Sequence, residues 1–164
     1  MLIVFSGAPG TGKTTLSRLL AQHLAAVWLR IDTIEHPVMA VYGADIADTG
    51  YRVAYGIARD NLLLGRTVVA DCVNPLNLTR DAWRSGGLGA GAAVVEIEVI
   101  CSDRSEHRRR VEGRTADIPG FALPTWEDVC GRRIEPWERA HIGIDTAGRS
   151  VEDCLTGLLA VLRG

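Results

Sequence analysis

Short apolar runs and segments of helical period take turns along the chain. Leu2–Ser6, "LIVFS", is brief and apolar throughout, which predicts a buried strand. Behind Lys13, the residues Leu16, Leu19, Leu20 and Leu24 fall on one helical face. Val27–Ile31 predicts a second strand. Tyr51, Ala54, Tyr55, Ala58 and Leu62 return to helical spacing, and Gly65 supplies a stop. Thr67–Asp71, "TVVAD", predicts a strand ending in a carboxylate, and a helix follows across Leu78–Arg84, closed by Gly86 and Gly87. Ala93–Cys101 predicts a fourth strand in which Glu96 and Glu98 alternate with apolar neighbours. One face of that strand should therefore be less dry than in a central parallel strand. His141–Asp145 is the fifth.

Polar signals mark the helix starts. Asp103 with Glu106, Thr125 with Asp128, and Ser150 with Asp153 each have the spacing of a capping box. The last opens a helix carrying Val151, Leu155, Leu158, Leu159 and Leu162 on one face. Strands alternating with helices imply right-handed crossovers and a mostly parallel sheet covered on both sides. The expectation is one α/β domain over residues 1–164.

Composition narrows the class. The chain is 47% hydrophobic and 23% charged, in the range of a globular domain. A net charge of −2 argues against a general nucleic-acid binder. Cys72, Cys101, Cys130 and Cys154 are far apart with no C-x-x-C pair, which fits reduced thiols better than a disulfide framework or a zinc site. The run Leu2–Phe5 is too short for a signal peptide, and no stretch approaches the roughly 18 apolar residues of a membrane span. A cytoplasmic protein with no membrane partner is expected.

The chemistry begins in the turn after the first strand, "GAPGTGKTT". Gly7, Gly12, Lys13 and Thr14 satisfy the phosphate-loop spacing G-x-x-x-x-G-K-[ST]. A triphosphate needs many donors in little space, and glycines let successive backbone N–H groups approach it at the positive end of a helix. Gly7, Ala8, Pro9, Gly10, Thr11, Gly12, Lys13, Thr14 and Thr15 are thus the expected ATP-binding residues, with Lys13 on the β- and γ-phosphates and the Thr14 hydroxyl on Mg²⁺. Asp71, ending its strand, is expected to face the same Mg²⁺. The run Gly86–Gly91, "GGLGAG", precedes a strand instead of following one and reads as a connector.

A phosphate loop near residue 7, Asp32 in "LRIDTIEH" and an arginine-rich segment after the fourth strand resemble the small P-loop kinases. The polynucleotide kinase, chloramphenicol phosphotransferase, gluconate kinase and shikimate kinase types are similar, and "DCVNPLNLTRDAW" resembles the aspartate-asparagine-proline segment of polynucleotide kinases in style, though not in spacing. The resemblance implies the P-loop three-layer fold with strand order 2-3-1-4-5. It also implies a catalytic base at Asp32, which would orient an acceptor hydroxyl and take its proton. Asp32 and Glu35 also have the spacing of a capping box, so both roles stand.

"RSEHRRRVEGR", Arg104–Arg114, has three readings: a nucleic-acid patch, a solvated helix face, or a lid over roughly 103–125. In the last, Arg110 and Arg114, four apart, would close on the triphosphate and exclude water. The resemblance implies an acceptor pocket built from 36–52, where Tyr42, Asp45, Asp48, Tyr51 and Arg52 lie, and an adenine seat after the last strand, at Thr146. Glu35, Arg52, Asn74 and Arg80 are the expected acceptor residues beside Asp32. His36, His107 and His141 share no metal spacing and read as surface or packing residues. Trp126 and Trp137 read as packing residues on one helical segment.

The expected activity is transfer of the γ-phosphoryl group of Mg-ATP to a hydroxyl of a small molecule. A 5′-hydroxyl polynucleotide is the second acceptor class, and a nucleotide-dependent ATPase or switch the different-class alternative. Against the switch stand a missing N-K-x-D-like guanine signature and the lack of a second helical domain with sensor arginines.

Overall fold

The computed structural model describes residues 1–43 and 46–163; Asp45 of the expected pocket lies outside them. The elements run β1 (Leu2–Ser6), α1 (Lys13–His23), β2 (Val27–Arg30), α2 (Ile31–Tyr42), α3 (Thr49–Leu63), β3 (Val68–Asp71), α4 (Asn77–Gly89), β4 (Val94–Ile100), α5 (Arg104–Gly113), α6 (Trp126–Gly131), β5 (Ile142–Asp145) and α7 (Val151–Arg163). The five strands form one parallel sheet of order β2-β3-β1-β4-β5, as the resemblance implied. Strand order reverses beside β1, so the carboxyl ends of β1 and its neighbours open the crevice in which such sheets bind ligands.

Alternation along the central strands divides the core into two layers. Leu2, Val4, Val68 and Ala70 meet Ala54, Ala58 and Leu62 of α3 and Trp83 of α4. Ile3, Phe5, Val69, Ile97 and Val99 meet Leu16 and Leu20 of α1 and Cys154 and Leu158 of α7. The returns from helix to strand pass through Ala25, Gly65 and Gly91, with φ of 48°, 76° and 71°.

Four local expectations change. Gly86 and Gly87 do not stop α4. A Cβ at Gly87 would lie 2.6 Å from Val94 Cγ2 and 2.9 Å from Leu2 Cδ2, so this glycine lets the helix lie close on the sheet. Asp32 and Glu35 form no capping box, because Arg30 is the N-cap of α2, without a side-chain cap bond, and Asp32 sits within the first turn. Trp126 and Trp137 share no helix: α6 ends at Gly131, and Trp137 lies in an irregular strap over 132–140. The strap also answers the β4 question. Glu96 is buried, not wet, because Arg139 grips it with two bonds of 2.7 Å and Arg84 adds a contact at 3.4 Å. A buried charge held this way is compensated rather than solvated. Glu98 is only partly buried and lies 3.3 Å from His141.

Three caps form where expected: at the start of α7 the Asp153 N–H donates to the Ser150 hydroxyl oxygen at 3.0 Å, and the other two stand on α6 and α5. Thr125 and Asp128 complete a reciprocal capping box on α6. Asp103 accepts from the Ser105 and Glu106 N–H groups, while Glu106 reaches instead to Arg110 and the Gly148 N–H.

Candidate active site

A cleft of about 930 Å³ opens at the carboxyl edge of the sheet. Its floor is the turn between β1 and α1. Gly12, the residue before α1, has φ of 91°, and the first turn of α1 contains neither a side-chain cap nor an acidic residue. Its first N–H groups therefore keep their donor capacity for an anion. Gly7 lets the loop pass under β4, where a Cβ would lie 2.3 Å from the Val99 carbonyl oxygen. Ala8, Pro9, Gly10, Gly12, Lys13, Thr14 and Thr15 line the cleft. Gly7 and Thr11 instead border a smaller cavity behind the loop, and the Thr11 hydroxyl donates to the Ala8 carbonyl at 2.9 Å.

Lys13 Nζ lies 2.7 Å from Asp71 Oδ1, both groups being buried. Asp71 Oδ2 is buried with no hydrogen-bond partner among the described residues. A carboxylate oxygen left bare inside a protein is costly without a compensating cation. Asp71 Oδ2 and the Thr14 hydroxyl are each hard oxygen donors of the kind a magnesium ion takes.

On one side, the end of β5 ties into the loop. The Thr146 hydroxyl donates to the Thr11 carbonyl at 2.8 Å and receives Arg110 Nη1 at 2.8 Å; Arg110 Nη2 donates to the Thr146 carbonyl and to Glu106. Helix α5 is itself seated on the loop through His107 Nε2, 2.9 Å from the Pro9 carbonyl oxygen.

Opposite stand Arg30, Asp32, Glu35, Tyr51, Arg114 and Arg132. Asp32 is 3.5 Å from Arg30 Nη2. Arg30 makes a two-pronged bond to Asp117, at 2.6 and 3.0 Å. Burial works against the Arg30 charge, but the Asp117 hydrogen bond and charge outweigh it and raise its pKa. Burial, then the Asp32 charge, pushes Glu35 up to about 7, with Arg132 pulling it back. Burial also raises the Tyr51 phenol well above its ordinary value. The segment expected to be a lid runs across this side. It is held by Arg30–Asp117, by His36 Nε2 at 3.0 Å from the Pro119 oxygen, and by the edge of His36 against Phe121.

Of the expected site residues, the cleft brings together Lys13, Thr14, Asp32, Glu35, Arg110, Arg114 and Thr146. Asp71 reaches them through Lys13. Arg52, Asn74 and Arg80 do not line it. Arg52 is exposed and pairs with Asp48 one helical turn away. Asn74, at φ of 50°, donates its side-chain amide to Ser6 and its backbone N–H to Tyr51, and its carbonyl accepts from Arg80. Arg80 is 1% exposed and directs its donors to Asn74, Pro75, Asn77, Glu135 and Pro136. Tyr51 of the expected pocket segment lines the wall, and Arg30 and Arg132 join it without having been singled out. "RID" places Arg30 two residues before Asp32, but only its partner, 87 residues away, shows where it points.

A parallel sheet of this order around a phosphate loop defines the P-loop class of nucleotide-binding proteins. The family described as AAA domain matches residues 2–130, and the chain belongs to it. No curated protein matches. Among solved structures, the APS kinase of Mycobacterium tuberculosis in complex with AMPPNP and APS is 21% identical, with a TM-score of 0.74 over 99% of this chain and 97% of that one. A gluconokinase from Sinorhizobium meliloti is 18% identical, with a TM-score of 0.69 over 98% and 90%. A sugar kinase from Janibacter is also 18% identical, with a TM-score of 0.73 over 99% and 94%. The fold is the small P-loop kinase fold.

Proposed function

We propose that this protein is a Mg-ATP-dependent phosphotransferase that moves the γ-phosphoryl group to a hydroxyl of a small molecule. The observation that carries the reading is the cleft itself: one opening holds an uncapped phosphate loop and, on the opposite wall, the half-exposed Asp32 carboxylate. The likeness in fold to kinases of small molecules supports it.

In this reading the loop amides and Lys13 hold the phosphates, and Lys13 exchanges Asp71 for a phosphate oxygen. Thr14 and Asp71 would hold Mg²⁺, which would supply neutralising positive charge to the bound phosphates. Thr146 and Arg110 border the nucleotide side. Asp32 orients the acceptor hydroxyl and receives its proton. Arg114 brings positive charge from the acceptor side, and the segment after it limits water. The chain's net charge of −2 favours a small acceptor over a polynucleotide end. The reading places the protein in the cytoplasm, where ATP is present; no described helix is long and apolar enough to cross a membrane.

The test is ADP formation by the purified protein with a panel of hydroxyl compounds, 5′-hydroxyl oligonucleotides included, beside Asp32→Asn. Removal of a positioned base costs about 10²–10⁴ in rate, so the variant should bind ATP normally and lose acceptor-stimulated turnover. Turnover that ignores every acceptor and survives Asp32→Asn indicates an ATPase or switch instead.

A further inference from the structure

We infer that His107 is a positioning residue of the phosphate loop, one that turns the Pro9–Gly10 peptide from behind so that the Gly10 N–H faces the phosphates. The inference rests on the phosphate-loop half of the proposed function and not on the acceptor. His107 is half-buried and lines the smaller cavity behind the loop instead of the cleft. Its Nε2 lies 2.9 Å from the Pro9 carbonyl oxygen. A carbonyl oxygen only accepts, so Nε2 carries a hydrogen and donates it. Among the described residues no other group donates to that carbonyl.

A trans peptide is a rigid plane whose C=O and N–H point in opposite directions. No peptide among the described residues is cis. Drawing the Pro9 carbonyl back toward α5 therefore swings the Gly10 N–H forward, into the cleft that Gly10 lines. A second tether acts two peptides further on. The Thr146 hydroxyl donates to the Thr11 carbonyl at 2.8 Å, which fixes the direction of the Gly12 N–H. Donors aimed before the anion arrives need no ordering when it binds.

Packing holds the imidazole to this task. Gly10, at φ of 86°, lies so near α5 that a Cβ there would stand 2.5 Å from Val111 Cγ2 and 3.3 Å from His107 Cδ2. His107 and Val111 are one helical turn apart on the same face, so a single stripe of α5 moulds the back of the loop. The ring of His107 also meets Trp126 of α6 edge-on, with centroids 5.2 Å apart and planes at 85°. Swinging the imidazole away from Pro9 would open that contact as well.

The experiment compares wild type with His107→Gln, His107→Asn and His107→Phe, each shown by thermal melting to be folded at the working temperature. Gln carries an amide N–H to about the reach of Nε2, Asn stops short at the reach of Nδ1, and Phe keeps a ring against Trp126 but donates nothing. Calorimetry follows Mg-AMPPNP and, separately, inorganic tripolyphosphate, which meets the loop without a nucleoside. His107→Phe and His107→Asn should weaken both probes alike, by about tenfold, with His107→Gln within about threefold of wild type. Imidazole nitrogen NMR of wild type in mildly alkaline buffer should find the His107 hydrogen on Nε2. A hydrogen on Nδ1 alone overturns the inference. So does His107→Phe binding both probes like wild type, or His107→Gln binding no better than His107→Phe, since either makes the residue mere packing. A loss confined to AMPPNP overturns it too, by moving the effect to the nucleoside side. Phosphate binding that follows the expected order while no acceptor is turned over keeps His107 in its role and sinks the kinase reading. Acceptor turnover with a His107→Phe variant indistinguishable from wild type does the reverse, and a wild type that binds neither probe overturns both.

Discussion

Replacing Arg80 separates a residue that builds the fold from one that reads the acceptor. Its guanidinium makes five hydrogen bonds, to the carbonyls of Asn74, Pro75, Glu135 and Pro136 and to Asn77 Oδ1, at 2.9–3.4 Å. It also stacks 4.2 Å from the Trp137 ring centre. Arg80→Ala leaves five acceptors short of a donor. At about 1 kcal/mol each, the low end for desolvated groups that water can partly reach, they cost about 5 kcal/mol. Lost stacking adds about 1 kcal/mol. Domain stabilities of about 5–15 kcal/mol make that a large fraction of the whole. At about 6 kcal/mol in all, a shift of about 2–4 °C per kcal/mol at this chain length puts the fall in Tm at about 12–24 °C. Arg80→Lys keeps the charge but offers only three donors without a planar fork, and should recover less than half. The assay is thermal and urea unfolding followed by circular dichroism, with ATP binding measured well below the new midpoint and expected to match wild type. A variant that melts within about 2 °C of wild type but raises the KM for an acceptor would refute this account and return Arg80 to the substrate.

Three further outcomes follow from the same geometry. Asp117→Asn loosens the clasp on Arg30. Because Asp117 is 61% exposed the cost in global stability should stay under about 1 kcal/mol, while amide exchange over 114–125 accelerates; unchanged exchange there would show that His36 alone holds the segment. Glu35 holds its proton more tightly in the folded chain than at its ordinary 4.5, so its contribution to stability is complete below about pH 4.5 and disappears as pH rises through about 7. The Tm of Glu35→Gln minus that of wild type should therefore increase across that window, and a flat difference would remove the argument. Lys13→Ala strips the ammonium from the loop and leaves Asp71 unpaired, so ATP affinity and Tm should both fall; a stable variant with wild-type ATP affinity would contradict the pairing seen here.

The parallel direction of the strands was legible because β1 and β3 are apolar on both faces, as in a sheet covered on both sides; their order was implied by the resemblance to the small P-loop kinases. The phosphate loop was legible because its geometry is local: glycines, a lysine and a hydroxyl within nine residues. Thr125 with Asp128 capped α6 for the same reason. What stayed hidden depends on partners distant in sequence. Arg80 lies on the expected ligand edge of the sheet, and only the strap over 132–140, without hydrophobic period, turns it inward. Gly87 looked like a helix stop until Leu2 and Val94 supplied the surface it lies against. Asp32 and Glu35 had cap spacing, yet the helix begins one residue before Asp32, because β2 runs straight into it.

Since all five strands point the same way, the molecule has a working rim and an idle one. Ala25, Gly65 and Gly91 mark the idle rim, a row of tight reversals on the far edge of the sheet from Lys13 and Asp32. A fluorophore, an immobilising tether or an inserted peptide placed at 65 or 91 meets none of the cleft walls. The chemistry can be watched from behind without being touched.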